Sequence, residues 1–275
     1  MKIGVRAHDF GKKNEKDLAK EIKCAGFDCV QLALTKAIEG IDSFDDITHK
    51  RIYNIKNEFD KNNIEISVLG CYIEPSIKDG AQRAKNINTF IKSFEHAKIL
   101  GTNIIGTETT KYTAPETKRG EYYEILKDSV KRIIEEAEKS DIIMGIEPVV
   151  EHTLNNSLLT RELLDQVGSK KLKVIFDPVN LILPNTAMYQ ELLFKKFFEL
   201  LGDDIAIMHA KDISIENKVK DWRNIGDGVI NYDYIFKYLS DFKPDLRVLR
   251  EGIKPGTATK DMVALKTYAT KYTMN

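Results

Sequence analysis

The stretch Ile205–Asp212, with the sequence IAIMHAKD, decides how this chain of 275 residues folds. Its first four residues, Ile205–Met208, are apolar and have the length and composition of a buried strand. Three ionisable side chains follow directly: His209, Lys211 and Asp212. An apolar strand that stops at charged groups is typical of the rim of a parallel α/β sheet, where the chemistry of such folds takes place.

Three further apolar runs end in an acidic residue. IIMGIEP ends at Glu147, LKVIFDP at Asp177 and LRVLREG at Glu251. With His209 included, the intervals are 30 (147 to 177), 32 (177 to 209) and 42 (209 to 251) residues. A strand–helix–strand unit takes about 30 residues or more. The four residues therefore fall one per unit, each at the carboxyl end of a strand, and we expect them to converge.

Two glutamates, one aspartate and one histidine at converging strand ends predict a divalent-metal site. Carboxylate oxygens with one imidazole suit Mn²⁺, Mg²⁺, Co²⁺ or Zn²⁺ better than a thiolate-preferring metal. A single acidic residue at a strand end is more often a cap or an ion-pair partner. That explanation does not account for four such residues at successive unit spacings, Glu147, Asp177, His209 and Glu251.

Eight short apolar strands alternate with eight helical segments along the whole chain. Helices are predicted, among others, at Asp45–Asn62, Ala81–Leu100 and Arg119–Lys139, and the segment around Trp222 is predicted to be a loop. We predict an α/β fold, a single (β/α)8 TIM barrel over residues 1–275. A doubly wound open sheet is the alternative, but no GxGxxG motif follows the first strand.

Composition excludes several classes of protein. Lys+Arg and Asp+Glu are both 42, so the formal net charge is zero and there is no bulk basic footprint for nucleic acid. No apolar run approaches membrane-spanning length, and the amino terminus is too short and polar for a signal peptide. The three cysteines, Cys24, Cys29 and Cys71, form no CxxC pair. We expect a cytoplasmic enzyme, with Cys71 a minor candidate for lining the site.

The order Glu, Asp, His, Glu on the last four strands resembles the xylose isomerase-like TIM-barrel superfamily, whose sugar phosphate isomerase/epimerase members include the ketose 3-epimerases. The flanking segments GIEP, FDPVN, HAKD and REG, and the stretch GDGVINY, are similar as well. The resemblance covers nearly the whole chain. It implies one divalent ion, Mn²⁺ first, held by Glu147, Asp177, His209 and Glu251, with the two glutamates also acting as acid and base.

The implied chemistry is physically coherent. A metal that bridges a carbonyl and an adjacent hydroxyl stabilises the enediolate formed when a neighbouring proton is removed. Two carboxylates on opposite faces of the substrate then invert one carbon, whereas proton transfer between adjacent carbons isomerises an aldose and a ketose. The same residues serve both reactions, so the sequence leaves the choice between epimerase and isomerase open.

Three other functions are alternatives. A lyase on the same scaffold, similar to inosose or dehydroshikimate dehydratases, is the main alternative. A non-catalytic sugar-binding protein is less favoured, because all four ligand candidates are present. An endonuclease IV-like repair enzyme needs a three-zinc cluster rich in histidine. This chain has only five histidines and a formal net charge of zero, so this function is disfavoured.

The sequence departs from the ketose 3-epimerases at two positions. The substrate-binding histidine that they commonly carry three positions after the aspartate ligand is Asn180 here, and the arginine six positions after the histidine ligand is Ile215. Lys211 is the nearest cation. These differences disfavour a free-ketose 3-epimerase and leave room for another polyol or acid.

The remaining polar residues near strand ends are substrate-binding candidates. His8 and Tyr72 are weaker candidates for lining the pocket, whereas His49 and His96 lie within helices and are expected to be surface or structural residues. Trp222 is expected either to form a hydrophobic wall over the bound sugar or to contact another subunit, since family analogy implies a homodimer or homotetramer. The predicted substrate-binding set is Glu108, Glu151, His152, Asn180 and Lys211.

Overall fold

A computed structural model describes residues 1–45 and 47–272, without the side chain of Pro255. Eight parallel strands close into a barrel in the order β1–β2–β3–β4–β5–β6–β7–β10, and β10 pairs with β1. The predicted TIM barrel is therefore confirmed. The barrel strands are β1 (Lys2–Arg6), β2 (Cys29–Leu32), β3 (Glu65–Gly70), β4 (Ile104–Glu108), β5 (Ile143–Glu147), β6 (Leu172–Phe176), β7 (Ile205–Ala210) and β10 (Arg247–Arg250).

Helices surround the barrel and alternate with its strands. The short α2 is an extra turn after β2, and the others each connect or follow barrel strands. In the described part of the chain, no helix is long and apolar enough to cross a membrane. The helices are α1 (Glu15–Cys24), α2 (Leu34–Ala37), α3 (His49–Lys61), α4 (Gly80–Leu100), α5 (Arg119–Ser140), α6 (Ser157–Val167), α7 (Gln190–Leu201), α8 (Tyr232–Phe242) and α9 (Ala258–Lys271).

The start of α3 differs from the prediction. The apolar pattern predicted a helix from Asp45, but α3 begins at His49, because the side chain of Thr48 accepts a hydrogen bond from the backbone N–H of Arg51. Such a cap satisfies a backbone donor of the first turn and fixes where the helix begins. Asp46, which the predicted helix included, lies outside the described residues, as do positions 273–275 of the predicted domain.

The interior of the barrel is packed with apolar side chains and forms the floor of the site. The floor cluster consists of Cys29, Val68, Ile175, Ile207 and Leu249. Side chains two positions apart in a strand share a face. The polar residues two positions after Ile175, Ile207 and Leu249 therefore also face the interior, at the carboxyl end of the barrel. They are Asp177, His209 and Glu251.

An antiparallel hairpin follows β7, where the sequence predicted a loop. Its strands are β8 (Asp212–Glu216) and β9 (Val219–Arg223), and Trp222 lies within β9. The two turn residues, Asn217 and Lys218, both have positive φ angles, 49° and 65°. Two-residue turns of this kind match the twist of a hairpin. The loop prediction for Trp222 was therefore wrong.

Candidate active site

Four polar side chains converge at the carboxyl end of the barrel, as the strand spacing predicted. Each offers one nitrogen or oxygen atom, and these atoms all lie within 4.8 Å of one another. Their exposures are only 2%, 0%, 1% and 6%. We call this set the ligand cluster: Glu147, Asp177, His209 and Glu251.

Positive groups lie between the carboxylates of the ligand cluster. His209 Nδ1 is 3.1 Å from Glu147 Oε2 and 3.2 Å from Glu251 Oε2. Lys211 Nζ is 2.9 Å from Asp177 Oδ2 and 2.7 Å from Glu251 Oε1. Lys211 is itself only 4% exposed. Since buried charges require partners, each positive group compensates two acidic ones.

The ligand cluster fits a divalent ion. Among the residues that the structure describes, His209 Nδ1 and Asp177 Oδ2 are buried without a partner in hydrogen-bond geometry, despite the short distances to neighbouring charges. Buried polar atoms are rarely left in this state, and a cation that displaces the Nδ1 proton would satisfy both atoms. Three carboxylates and one imidazole are a donor set suited to Mn²⁺, Mg²⁺, Co²⁺ or Zn²⁺.

Gln31 fixes the orientation of the His209 ring. Its Oε1 is 2.8 Å from His209 Nε2, and its Nε2 donates to the Tyr72 hydroxyl at 2.7 Å. Because the amide oxygen accepts, His209 Nε2 carries a hydrogen and Nδ1 faces the ligand cluster. The sequence analysis missed Gln31. The sequence indicates it only as a polar residue inside the otherwise apolar strand β2.

The electrostatics of the ligand cluster divide its acids. Burial opposes ionisation of Glu147 and Glu251, but the positive charges of His209 and Lys211 hold both pKa values below the usual range. For Asp177, burial and the two glutamates outweigh Lys211 and raise the pKa to about 6. Burial lowers the pKa of His209, but the two glutamates more than reverse this and raise it to about 10.

Asn180 joins three members of the site. Its Nδ2 donates to Glu147 Oε1 at 2.5 Å, and its Oδ1 accepts from Lys211 Nζ at 3.2 Å. Its backbone N–H donates to Asp177 Oδ1 at 3.1 Å. The residue that stands where the epimerases carry histidine therefore contacts a predicted acid–base residue directly.

The other predicted substrate-binding residues differ in position. Glu108 pairs with Glu147 in the register of β4 and β5, and its side chain is 33% exposed. Burial, with the charges of Glu147 and Glu251, raises the pKa of Glu108 to about 7. His152 Nε2 lies 3.8 Å from Glu108 Oε2. Glu151 is exposed at the rim, outside the ligand cluster.

Arg6 orients Glu251 from the first strand. Its Nη1 is 2.7 Å from Glu251 Oε1, and its Nε donates to Asp9 Oδ1 at 2.9 Å. Asp9 in turn accepts from the backbone N–H of Gly252 at 2.6 Å. The sequence analysis missed Arg6, although the polar end of β1 was its signal.

His8 and Tyr72 lie close together at the same side of the barrel. Their rings meet edge to face, with centroids 6.2 Å apart. Burial, with the charges of Arg6 and Lys36, lowers the pKa of His8 to about 3. Tyr72 reaches the ligand cluster through Gln31. Both residues therefore lie beside the site and outside the ligand cluster.

Cys71 does not line the site. It belongs to the core between the barrel and the helices, where burial raises the pKa of its thiol to about 12. His49 is exposed, with its Nε2 3.1 Å from Glu95 Oε2, and His96 is buried and stacks on Phe44. These two histidines are surface and structural residues, as predicted.

A closed barrel of eight parallel strands, with a buried Glu–Asp–His–Glu cluster at its carboxyl end, defines the class as a TIM barrel with a candidate metal centre. Within this class, the chain belongs to the xylose isomerase-like TIM barrel family, whose model matches residues 19–265. Among curated proteins, none matches the sequence significantly.

Several solved structures share the fold across nearly their whole length. A D-tagatose 3-epimerase-like protein is 20% identical with a TM-score of 0.79, covering 99% of this chain and 98% of its own. A xylose isomerase-like protein from Mycobacterium smegmatis, in complex with magnesium, is 13% identical (TM-score 0.79; 99% and 97% covered). A probable 3-DHS dehydratase from Bacillus anthracis is 17% identical (TM-score 0.73; 97% and 99% covered). At these identities, the similarity establishes the fold.

Proposed function

We propose that the protein is a divalent-metal-dependent sugar isomerase or epimerase. The observation that carries the proposal is the ligand cluster, in which two buried glutamates from different strands, Glu147 and Glu251, both approach His209 within 3.2 Å. The similarity to an epimerase-like structure and to a magnesium complex supports this assignment. We further propose a cytoplasmic homodimer or homotetramer that acts on a small sugar or polyol.

Glu147, Asp177, His209 and Glu251 would hold the ion, with Mn²⁺ the first choice and Mg²⁺, Co²⁺ or Zn²⁺ the alternatives. When bound, a divalent ion supplies Lewis-acid stabilisation of the negative charge that develops on the substrate oxygens. Asp177 Oδ2 and His209 Nδ1, which lack partners in hydrogen-bond geometry, would be two of its donor atoms once the ion has displaced the Nδ1 proton.

The chain's own residues move the proton. One glutamate takes the proton from the carbon beside the carbonyl, and the electron pair of that C–H bond passes toward the carbonyl oxygen to give the enediolate. The other glutamate returns a proton to the opposite face of the same carbon in an epimerase, or to the adjacent carbon in an isomerase. The lowered pKa values keep Glu147 and Glu251 ionised before the reaction, as a proton acceptor requires, so the glutamate that returns a proton must first take one from solvent or from a substrate hydroxyl.

Around these groups, the buried Lys211 and the half-buried Asn180 would bind substrate oxygens, because both are already bonded to the ligand cluster. Glu108 and His152 would form hydrogen bonds with hydroxyl groups at the mouth of the barrel, and Glu151 would bind substrate at the rim. Ile215 replaces the arginine of the epimerases, and its cross-strand partner Lys220 donates to the backbone oxygen of Val179.

A dehydratase is the second candidate. Glu108 is a fourth carboxyl group, beside the three of the ligand cluster, and its pKa of about 7 makes it suitable to protonate a departing hydroxyl. The similarity to the probable 3-DHS dehydratase is compatible with this reaction. A non-catalytic sugar-binding protein remains the third candidate, and measurable turnover distinguishes it from both enzymes.

The first test combines metal analysis with solvent exchange. We expect about one Mn²⁺ per chain in the wild type and almost none in Asp177→Asn. Ketoses, aldoses and inososes, incubated with the loaded protein in D₂O, should show by NMR deuterium beside the carbonyl together with a new epimer or isomer. Glu147→Gln and Glu251→Gln should each remove the exchange while the fold is kept.

Three outcomes would contradict parts of this proposal. Equal metal content in the wild type and Asp177→Asn would mean that the ion is bound elsewhere. Loss of water from the substrate with formation of an enone would favour the dehydratase. Sugar binding without exchange or turnover would favour the non-catalytic protein.

A further inference from the structure

The β8–β9 hairpin presents one face to the mouth of the barrel. In its register, Ile213 pairs with Trp222 and Ile215 pairs with Lys220, so these four side chains share a face. Lys220 Nζ donates to the backbone oxygen of Val179 at 3.1 Å, in the loop that follows Asp177. This bond places the shared face against the loop that carries one member of the ligand cluster.

Trp222 borders the ligand cluster. Its ring centroid is 5.8 Å from Lys211 Nζ, and this ammonium contacts both Asp177 and Glu251. On another side the ring packs over Gly252, where an added Cβ would lie 3.5 Å from the indole. The side chain is nevertheless 48% exposed. A large part of the aromatic surface is therefore uncovered beside the site.

The opposite wall of the mouth is polar and acidic. In the closed barrel, β4 lies four strands from β10 in either direction, so Glu108 stands across the mouth from Glu251 and the adjoining Trp222. The His152 Nε2 atom lies 3.8 Å from the Glu108 carboxylate. Glu147, beside it in the register, is ionised, so this wall exchanges hydrogen bonds with hydroxyl groups and carries negative charge.

We propose that Trp222 is a specificity-determining residue, which selects an uncharged sugar by stacking on its C–H face while Glu108 accepts hydrogen bonds from its hydroxyls. The inference rests on the proposed function and deepens it by naming the substrate class. C–H groups next to hydroxyls carry partial positive charge and are attracted to the negative face of an aromatic ring. A phosphate or carboxylate has no such attraction to the ring and meets the negative charge of Glu147 across the mouth.

The Trp222 ring, which we call the platform, is held in place before any substrate arrives. At the base of the hairpin, the Asp212 carboxylate accepts hydrogen bonds from the backbone N–H groups of Gly226, at 2.9 Å, and Gly228, at 3.1 Å. The buried Arg250 side chain donates to the backbone oxygen of Arg223, next to Trp222, at 3.1 Å. A fixed ring costs less ordering entropy on binding than a mobile one.

The chain offers a direct reporter, because Trp222 is its only tryptophan. The Mn²⁺-loaded protein would be titrated with D-fructose, D-tagatose and myo-inositol, and with D-fructose 6-phosphate as the anionic probe, while tryptophan emission is recorded. We expect a saturable change with at least one neutral probe and weaker binding of the phosphate. Tighter binding of the phosphate than of free fructose, or no response to any neutral probe, would overturn the proposal.

A pair of substitutions tests the stacking separately from the reporter. With the substrate identified by turnover, Trp222→Leu should raise KM about three- to ten-fold and leave kcat within about two-fold, whereas Trp222→Phe should stay close to the wild type. Phe242→Leu is the matched control, because Phe242 is 64% exposed on α8 outside the site. An unchanged KM in Trp222→Leu would refute the platform.

The two proposals fail in different ways. If the protein is not a metal-dependent isomerase or epimerase, the wild type itself will lack bound Mn²⁺ or turnover. If only the platform is wrong, the wild type and both Trp222 variants will bind metal and turn over substrate with the same KM.

Discussion

The orientation of His209 depends on a single amide group. Gln31 is 1% exposed and its oxygen is 2.8 Å from His209 Nε2. Partners of this kind hold a ligating imidazole in one tautomer, and their loss typically weakens metal binding 10- to 100-fold. A neutral amide fixes the ring without adding a negative charge to a site that already holds three acidic side chains.

We therefore predict that Gln31→Leu lowers the affinity for Mn²⁺ by about 10- to 100-fold, whereas Gln31→Glu, which keeps an acceptor, loses less. Isothermal titration calorimetry measures both. Gln166→Leu on the exposed surface of α6 is the matched control and should bind like the wild type. An affinity unchanged by Gln31→Leu would show that the ring is held by other contacts.

Metal binding should depend on pH. Since the pKa of His209 is raised to about 10, the ring carries a proton on Nδ1 at neutral pH, and the ion must displace it. The affinity for Mn²⁺ should therefore rise about ten-fold per pH unit near pH 7. Below about pH 6 the slope should steepen, because Asp177, whose pKa is raised to about 6, then also binds a proton.

Calorimetry in two buffers with different ionisation enthalpies checks this directly. About one proton should be released per ion at pH 7. Binding that is independent of pH and of the buffer would mean that His209 is neutral before the ion arrives, or that it is not a ligand.

At the scale of single residues, the sequence predicted that the four residues of the ligand cluster converge, and it missed the two residues that orient them, Gln31 and Arg6. Glu147, Asp177 and Glu251 each end an apolar run, so strand periodicity alone brings them to one place. Gln31 and Arg6 act through pairings between strands that are distant in sequence. A linear pattern does not contain those pairings.

At the scale of elements, the hairpin depends on one buried carboxylate. Asp212 is fully buried and accepts hydrogen bonds from the backbone N–H groups of four residues. It thereby fixes the hairpin to the turn before α8. A side chain at Gly228 would collide with this carboxylate, which explains the glycine in the GDG segment. The four donors are Ile213, Gly226, Gly228 and Ile230.

Asp212→Ala should leave these donors without an acceptor and lower the free energy of unfolding by roughly 2–4 kcal/mol. Urea denaturation followed by circular dichroism measures the change. Asp221→Ala, an exposed position on the same hairpin, is the control and should change it by less than about 0.5 kcal/mol. Equal effects of the two substitutions would contradict the anchoring role of Asp212.

The sequence missed the hairpin for a local reason. Its turn is Asn217–Lys218, and although both residues adopt positive φ angles, the second is not the glycine that usually signals such a turn. The start of α3 was misplaced because an apolar pattern shows where a helix packs, whereas the cap at Thr48 decides where it begins.

At the scale of the whole molecule, the barrel was predictable because its unit recurs. Short apolar strands followed by amphipathic helices leave few arrangements in which every strand is covered on both faces. Closure does not follow from this pattern alone, since an open sheet has the same alternation of strands and helices. Polar strand ends along the entire chain favoured the closed form, because they require one common centre.

Binding of the ion should stabilise the entire barrel, because four strands supply its ligands. At about 100 times the dissociation constant, a bound ligand contributes roughly 2.7 kcal/mol, which corresponds to a rise in Tm of roughly 5–10 °C for a chain of this size. Scanning calorimetry with and without Mn²⁺ measures this rise. It should disappear in Asp177→Asn, and a similar rise in that variant would indicate that Mn²⁺ acts elsewhere.

The ammonium of Lys211 between Asp177 and Glu251 has a practical consequence for how the protein acquires its ion. Unlike zinc fingers, which do not fold without their metal, this barrel already compensates its buried acids with its own cations. Folding and metal binding are then separate events, and the ion that is bound depends on which metals are available and how they exchange. The chelated protein should accept Co²⁺, whose visible absorption would give a colour to a site that Mg²⁺ or Zn²⁺ leaves spectroscopically silent.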